Sequence, residues 1–196
     1  MKTVLIKYNA GNVQSVRYAL ERLGAAYLWT DDEAEIRSAD RVIFPGVGEA
    51  STAMASLRAS GVDRVLPTLR QPVLGTCIGM QLMCRHSEEN DTDCLGIFPV
   101  DVKRFRTTAL KVPHVGWNSL TDLRSPLTKG LPAEPYVYFV HSYCAPVGPY
   151  TGATCTYGQP FSALLQKDNF YAAQFHAEIS GDVGQRILEN FLNLSR

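Results

Sequence analysis

Short apolar runs alternate with amphipathic stretches through the first half of the chain. Residues 3–8 read as a β-branched, apolar strand, and Gly11-Asn12 then opens a helix whose Val13, Val16, Leu20 and Leu23 share one face until Gly24 stops it. Residues 26–29 and 41–44 are a second and third strand, and the small-residue stretch over 49–60 is a helix closed by Gly61. Residues 73–76 form a fourth strand that runs straight into Cys77 and a helix carrying Met80, Leu82 and Met83. Strands alternating with helices predict a parallel sheet covered on both faces. From about Gly96 strands follow in quick succession, over 96–105, 136–143, 151–157, 161–166 and 170–174. A final helix starts at Ser180 as N-cap and turns Val183, Ile187, Leu188, Phe191 and Leu192 inward. The prediction is an α/β fold, an open mixed sheet with a parallel core. Ligands of such sheets bind beyond the carboxyl ends of the strands.

Composition narrows the function classes. The 196 residues, 45% of them hydrophobic, suffice for one core and predict a single domain over 1–196. Nineteen basic and 19 acidic side chains balance to zero, which removes the pull that sequence-tolerant binding to nucleic acid or an anionic membrane needs. The first apolar run spans only Val4 to Ile6 before Lys7, too short for an export signal, and nothing approaches a membrane span, so the expected location is the cytoplasm. The five cysteines are odd in number, scattered, and without a C-x-x-C pair, against both a disulfide framework and a zinc ribbon; no metal is expected.

Three strand ends carry candidate chemistry. In Gly75-Thr76-Cys77-Ile78-Gly79 a cysteine lies between strand and helix with glycine two residues to either side, the pattern of an elbow that lifts a nucleophile above a sheet. The helix N-terminus there favours the thiolate. A small buried core cysteine fits this segment equally well, and for Cys84, Cys94, Cys144 and Cys155 it is the preferred reading. His176 follows the strand over 170–174, and Glu178 two residues on points to the same side of an extended segment, where it can orient the imidazole. His86, His114 and His141 lack such an acid and are expected to make structural hydrogen bonds. Pro45-Gly46-Val47-Gly48 follows the third strand; its glycines let backbone amides approach a ligand as an oxyanion site requires, with the Ile78 N–H as second donor. The same glycines fail as a dinucleotide fingerprint, because Ser51 stands where the third glycine belongs, so no cofactor is expected.

Gly75-x-Cys77-x-Gly79-Met80-Gln81 together with His176-x-Glu178 resembles the class I, or triad, glutamine amidotransferases, with their flavodoxin-like fold. The segments Tyr8-Asn9-Ala10-Gly11-Asn12, Pro45-Gly46-Val47-Gly48, Lys111-Val112-Pro113-His114-Val115-Gly116-Trp117-Asn118 and Tyr138-Phe139-Val140-His141-Ser142-Tyr143 look like the glutaminase subunits of imidazole glycerol phosphate synthase within that family. The resemblance covers residues 2 to about 194. It implies that Cys77 attacks the carboxamide of glutamine, that His176 steered by Glu178 protonates the departing ammonia, and that Gly46, Val47, Gly48 and Ile78 hold the oxyanion. It implies further that Gln81, Ser142 and Tyr143 hold the α-amino and α-carboxylate ends, and that ammonia passes to a (β/α)8-barrel cyclase subunit in a heterodimer of histidine biosynthesis. The cyclase then makes imidazole glycerol phosphate and an aminoimidazole carboxamide ribotide.

Two positions depart from the family pattern, which reads His-Pro-Glu-Lys where this chain has His176-Ala177-Glu178-Ile179. Ala177 removes a φ restraint between two triad members. Ile179 removes an ion pair to the cyclase that relatives make. Two rivals remain from the residues alone: a γ-glutamyl hydrolase or protease-like enzyme using the same three side chains, and a non-catalytic binding module on a flavodoxin-like sheet.

Overall fold

The computed structural model describes residues 1–9, 13–46 and 48–194. Strand β1 (Thr3–Ile6) is followed by α1 (Gln14–Arg22), β2 (Tyr27–Thr30), α2 (Glu33–Ser38), β3 (Arg41–Phe44), α3 (Ala50–Ser60), α4 (Val62–Val65), β4 (Val73–Thr76) and α5 (Ile78–Met83). The second half holds β5 (Cys84–Ser87), β6 (Thr92–Asp93), β7 (Phe98–Arg104), β8 (His114–Ser119), β9 (Tyr136–His141), β10 (Tyr143–Cys144), β11 (Thr151–Tyr157), β12 (Gln159–Lys167), β13 (Phe170–Ala173) and α6 (Gly181–Leu192).

The main sheet runs β2-β1-β3-β4-β13-β12-β11. Its first five strands are parallel, in the 2-1-3-4-5 order of a doubly wound sheet, and β12 and β11 add antiparallel at one edge. Because side chains alternate along a strand, β1 sends Val4 and Ile6 to one face, where Phe44, Met54 and Leu57 meet them, and Leu5 to the other, with Ile43, Leu74, Ile187 and Phe191. Both faces are covered, so β1, β3, β4 and β13 are buried along their whole length and mostly apolar. Among the described residues no helix is long and apolar enough to cross a membrane.

Several expectations shift. The first strand stops at Ile6 rather than Tyr8, and the predicted helix start at Gly11-Asn12 lies outside the described residues. Of the later strands only β11, β12 and β13 join the main sheet; β10, β7, β5 and β6 form a second sheet, and β8 and β9 a two-stranded ribbon. Ser180 stands at the head of α6 but does not cap it. Its hydroxyl donates to the His176 carbonyl at 2.6 Å and accepts from the Tyr138 N–H at 2.9 Å, tying the helix to the loop that carries His176.

Candidate active site

Three parallel strands end side by side, and the segments after them build the site. β4 delivers Cys77 at φ +52°, a left-handed conformation that costs a non-glycine residue about 1–3 kcal/mol. The bend is held from both sides. The Cys77 N–H donates to the Ala173 carbonyl at the end of β13 at 2.8 Å, and the Gln81 N–H to the Cys77 carbonyl at 3.3 Å. Glycine is required beside it: a Cβ on Gly79 would overlap the Phe44 carbonyl of β3, and one on Gly75 would press on Met83 and on Gly79. The elbow is therefore a product of close strand-to-helix approach as well as of its own dihedrals.

β13 leads to His176, whose N–H donates to the Tyr138 carbonyl at 2.9 Å. Its Nδ1–H donates to Glu178 Oε1 at 2.8 Å with both side chains buried, which leaves Nε2 for the thiol. The route differs from expectation. Residues Ala177–Ile179 form a 3-10 turn rather than an extended segment, and the turn curls the carboxylate back under the ring. Ala177 is itself buried, and α6 packs so closely that a Cβ on Gly184 would overlap the Ala177 carbonyl, so packing holds the turn without proline. Burial alone would favour neutral imidazole, but the neighbouring Cys77 and Glu178 outweigh it and push the His176 pKa up to about 10.

A cleft of about 240 Å³ opens over the thiol, lined by Gly48, Cys77, Gln81, Glu89, Ser142 and Tyr143 among others. Gln81 Nε2 donates to the Tyr143 carbonyl and to Gln174 Oε1, both at 3.2 Å, so α5 is bound to the segment that forms the opposite wall. Ser142 is held through its carbonyl by the Phe105 N–H at 3.0 Å. A larger hollow of about 450 Å³ lies at the other end of the strands, around Thr3, Arg41 and Asn193, with no cysteine or histidine in its lining.

The candidate oxyanion donors lie in the loop after β3 and at the head of α5. The Ile78 N–H donates to the Gly46 carbonyl at 3.4 Å instead of facing an open position. Tyr8, whose buried phenol is pushed well above the usual tyrosine range by burial and the nearby Cys77, donates to the Pro45 carbonyl at 2.7 Å and braces the same loop. Val47 lies outside the described residues.

Glu89 escaped the sequence reading. It lines the cleft, accepts from the Ala50 N–H of α3 at 2.7 Å, and burial pushes its carboxyl pKa up. Its partner is 39 residues away, so no local signal pointed to it. Among the described residues no group of three or more ligating side chains could hold a metal ion.

The sequence model of "Glutamine amidotransferase class-I" matches residues 4–194. The "Imidazole glycerol phosphate synthase subunit HisH" of Bacteroides fragilis is 59% identical over 99% of this chain and 100% of its own. The chain belongs to the class I glutamine amidotransferases, among the HisH subunits. A second HisH subunit, from Bacteroides thetaiotaomicron, is 57% identical over 99% of this chain and 100% of its own. A solved "glutamine amidotransferase" structure superposes with TM-score 0.75 at 19% identity, covering 96% of each chain, and shows the shared flavodoxin-like fold. In this chain the elbow cysteine and the His-x-Glu turn follow β4 and β13, at the strand ends beyond which a doubly wound sheet binds its ligands.

Proposed function

We propose that this chain is the glutaminase subunit of an imidazole glycerol phosphate synthase, with Cys77, His176 and Glu178 as its catalytic residues. The observation that carries the reading is the buried His176–Glu178 pair at 2.8 Å beside a cysteine held on a strained elbow at the mouth of an amino-acid-sized cleft. Cys77 Sγ attacks the side-chain carbonyl carbon of glutamine, and the carbonyl π electrons move to oxygen. The thiol's proton passes to His176 Nε2, whose Nδ1–H stays on Glu178; this imidazolium then gives its Nε2 proton to the nitrogen as the oxyanion's electron pair reforms the carbonyl, the C–N bond breaks and ammonia leaves. Water activated by the now neutral imidazole cleaves the γ-glutamyl thioester, releasing glutamate and restoring the thiol.

Gln81, Ser142 and Tyr143 flank the cleft where the α-substituents of glutamine would sit, and the Glu89 carboxylate supplies the counter-charge for an α-ammonium. In this state the oxyanion site is closed by a protein carbonyl. Rotation of the Gly46–Val47 peptide would free the Ile78 N–H and present a second donor, so activity rises when a partner stabilises the rotated loop.

The partner proposed is the (β/α)8-barrel cyclase. Ammonia freed into water becomes ammonium and loses its nucleophilicity, so the cleft must open against another protein. Exposed Val115 and Trp117 on β8, Val140 on β9 and Ile179 in the turn after His176 form an apolar face beside the thiol, suited to such docking. Ile179 extends that face at the position where the family pattern has lysine, so an apolar contact takes the place of an ion pair in this reading. The test is glutamine hydrolysis by Cys77→Ala mixed with the cyclase and its nucleotide ligand. The reading requires loss of at least about 10³-fold in kcat; undiminished turnover sinks it.

A further inference from the structure

Two buried histidines lie outside the catalytic set. His114 on β8 and His141 on β9 face each other across the ribbon, with His114 Nδ1 and His141 Nε2 3.0 Å apart. The direction of the proton between them is fixed independently from both ends. At one end Asn118 Oδ1 accepts from the Ser119 N–H at 2.9 Å and Asn118 Nδ2 donates to the Thr156 carbonyl at 3.0 Å. The amide cannot then be flipped, and its remaining N–H points to His114 Nε2 at 3.4 Å. At the other end His141 Nδ1 meets the Tyr143 carbonyl at 2.8 Å, and a carbonyl can only accept. Donation therefore runs Asn118 to His114 to His141 to Tyr143, and each ring is neutral with its hydrogen on Nδ1. Burial acts the same way, pushing His114 down to about 4 and His141 to about 3. His114 is clamped between the rings of Phe139 and Tyr157, with centroids 4.8 and 4.0 Å away.

The chain ends on the wall of the cleft. The Tyr143 carbonyl that receives it is the one that receives Gln81 Nε2, and His141 itself lines the cleft one residue after Val140, whose carbonyl lies 3.8 Å from Cys77 Sγ. We propose that the Asn118–His114–His141 hydrogen-bond chain is a positioning device that holds the 140–143 wall in register for glutamine, His141 acting through Tyr143 and never as acid or base. This rests on the glutaminase reading and adds residues to it.

The experiment is steady-state glutamine hydrolysis by the complex with the cyclase and its nucleotide. In His141→Leu the KM for glutamine is expected to rise about tenfold or more with kcat within about threefold. In His141→Asn, whose Nδ2 takes the place of Nδ1, KM is expected to return to within about threefold of the parent. An unchanged KM in His141→Leu, a loss confined to kcat, or no rescue by asparagine overturns the proposal. Absence of glutaminase activity in the parent complex instead sinks the underlying reading. Imidazole ¹⁵N spectra of the unmodified protein at neutral pH keep the proposal testable should the leucine variant not fold. Both rings must show the Nδ1–H neutral tautomer, and an Nε2–H tautomer or an imidazolium at either overturns it.

Discussion

At the scale of single residues the account turns on a buried imidazole that keeps its proton. Burial opposes the charge on His176 while Cys77 and Glu178 favour it, and the balance places the pKa at about 10 against the usual 6.5. A raised pKa stabilises the fold fully below about pH 6.5, and that contribution is lost as pH rises toward 10. The stability of the parent, followed by denaturant melts across this range, is expected to fall more steeply than that of His176→Gln; parallel profiles would contradict the assignment. In Glu178→Gln one of the two favourable neighbours is gone, so the His176 pKa drops and the basic limb of the kcat/KM profile moves to lower pH. The same variant should lose about 10²–10⁴-fold in kcat. A basic limb in its original place would show that Glu178 does not hold the proton on His176.

Elements decide where those residues point, and here the sequence was legible to different depths. Gly75-x-Cys77-x-Gly79 and His176-x-Glu178 are local patterns, so the residues that form them could be read from spacing. The geometry of the second could not, because the turn over Ala177–Ile179 depends on the approach of α6 at Gly184, several residues on. Helix α2 was missed because it is six residues long with one buried side chain, Ile36, although Asp32 caps it by accepting from the Glu35 N–H at 2.9 Å. Strand β8 is not recognised from the sequence because its alternation is inverted, with Val115 and Trp117 exposed and His114 buried, and is interrupted by Gly116. Glu89 and the Ile78–Gly46 contact join segments far apart in sequence and left no trace in either. The elbow itself makes a prediction. Glycine tolerates φ +52° and alanine does not, so Cys77→Gly should melt higher than Cys77→Ala by an amount worth about 1–2 kcal/mol, strain relief less the entropic cost of glycine. Equal melting temperatures would mean that the bend is unstrained.

At the scale of the whole molecule, the parallel core of the main sheet carries the candidate site at its carboxyl end, and the ribbon of β8 and β9 presents an apolar face beside it. Val115, Trp117, Val140 and Ile179 are all exposed, and Trp117 packs edge-on against the Tyr138 ring with centroids 5.8 Å apart. Trp117→Ala is expected to weaken the complex with the cyclase by about 2 kcal/mol, roughly thirtyfold in Kd, while the isolated chain melts as before. An unchanged Kd by calorimetry would move the docking surface elsewhere. The Ile78–Gly46 contact belongs to this scale too, because a ligand or partner shifts such a contact only by binding its open form more tightly than its closed one.

The most direct measurement is the mass of the protein after incubation with a glutamine-mimicking electrophile, with and without the cyclase and its nucleotide. The account expects one covalent adduct, on Cys77 and on none of the other four cysteines, forming markedly faster in the complex and abolished in Cys77→Ala. An adduct on another residue, or none at Cys77 in the stimulated complex, would contradict it.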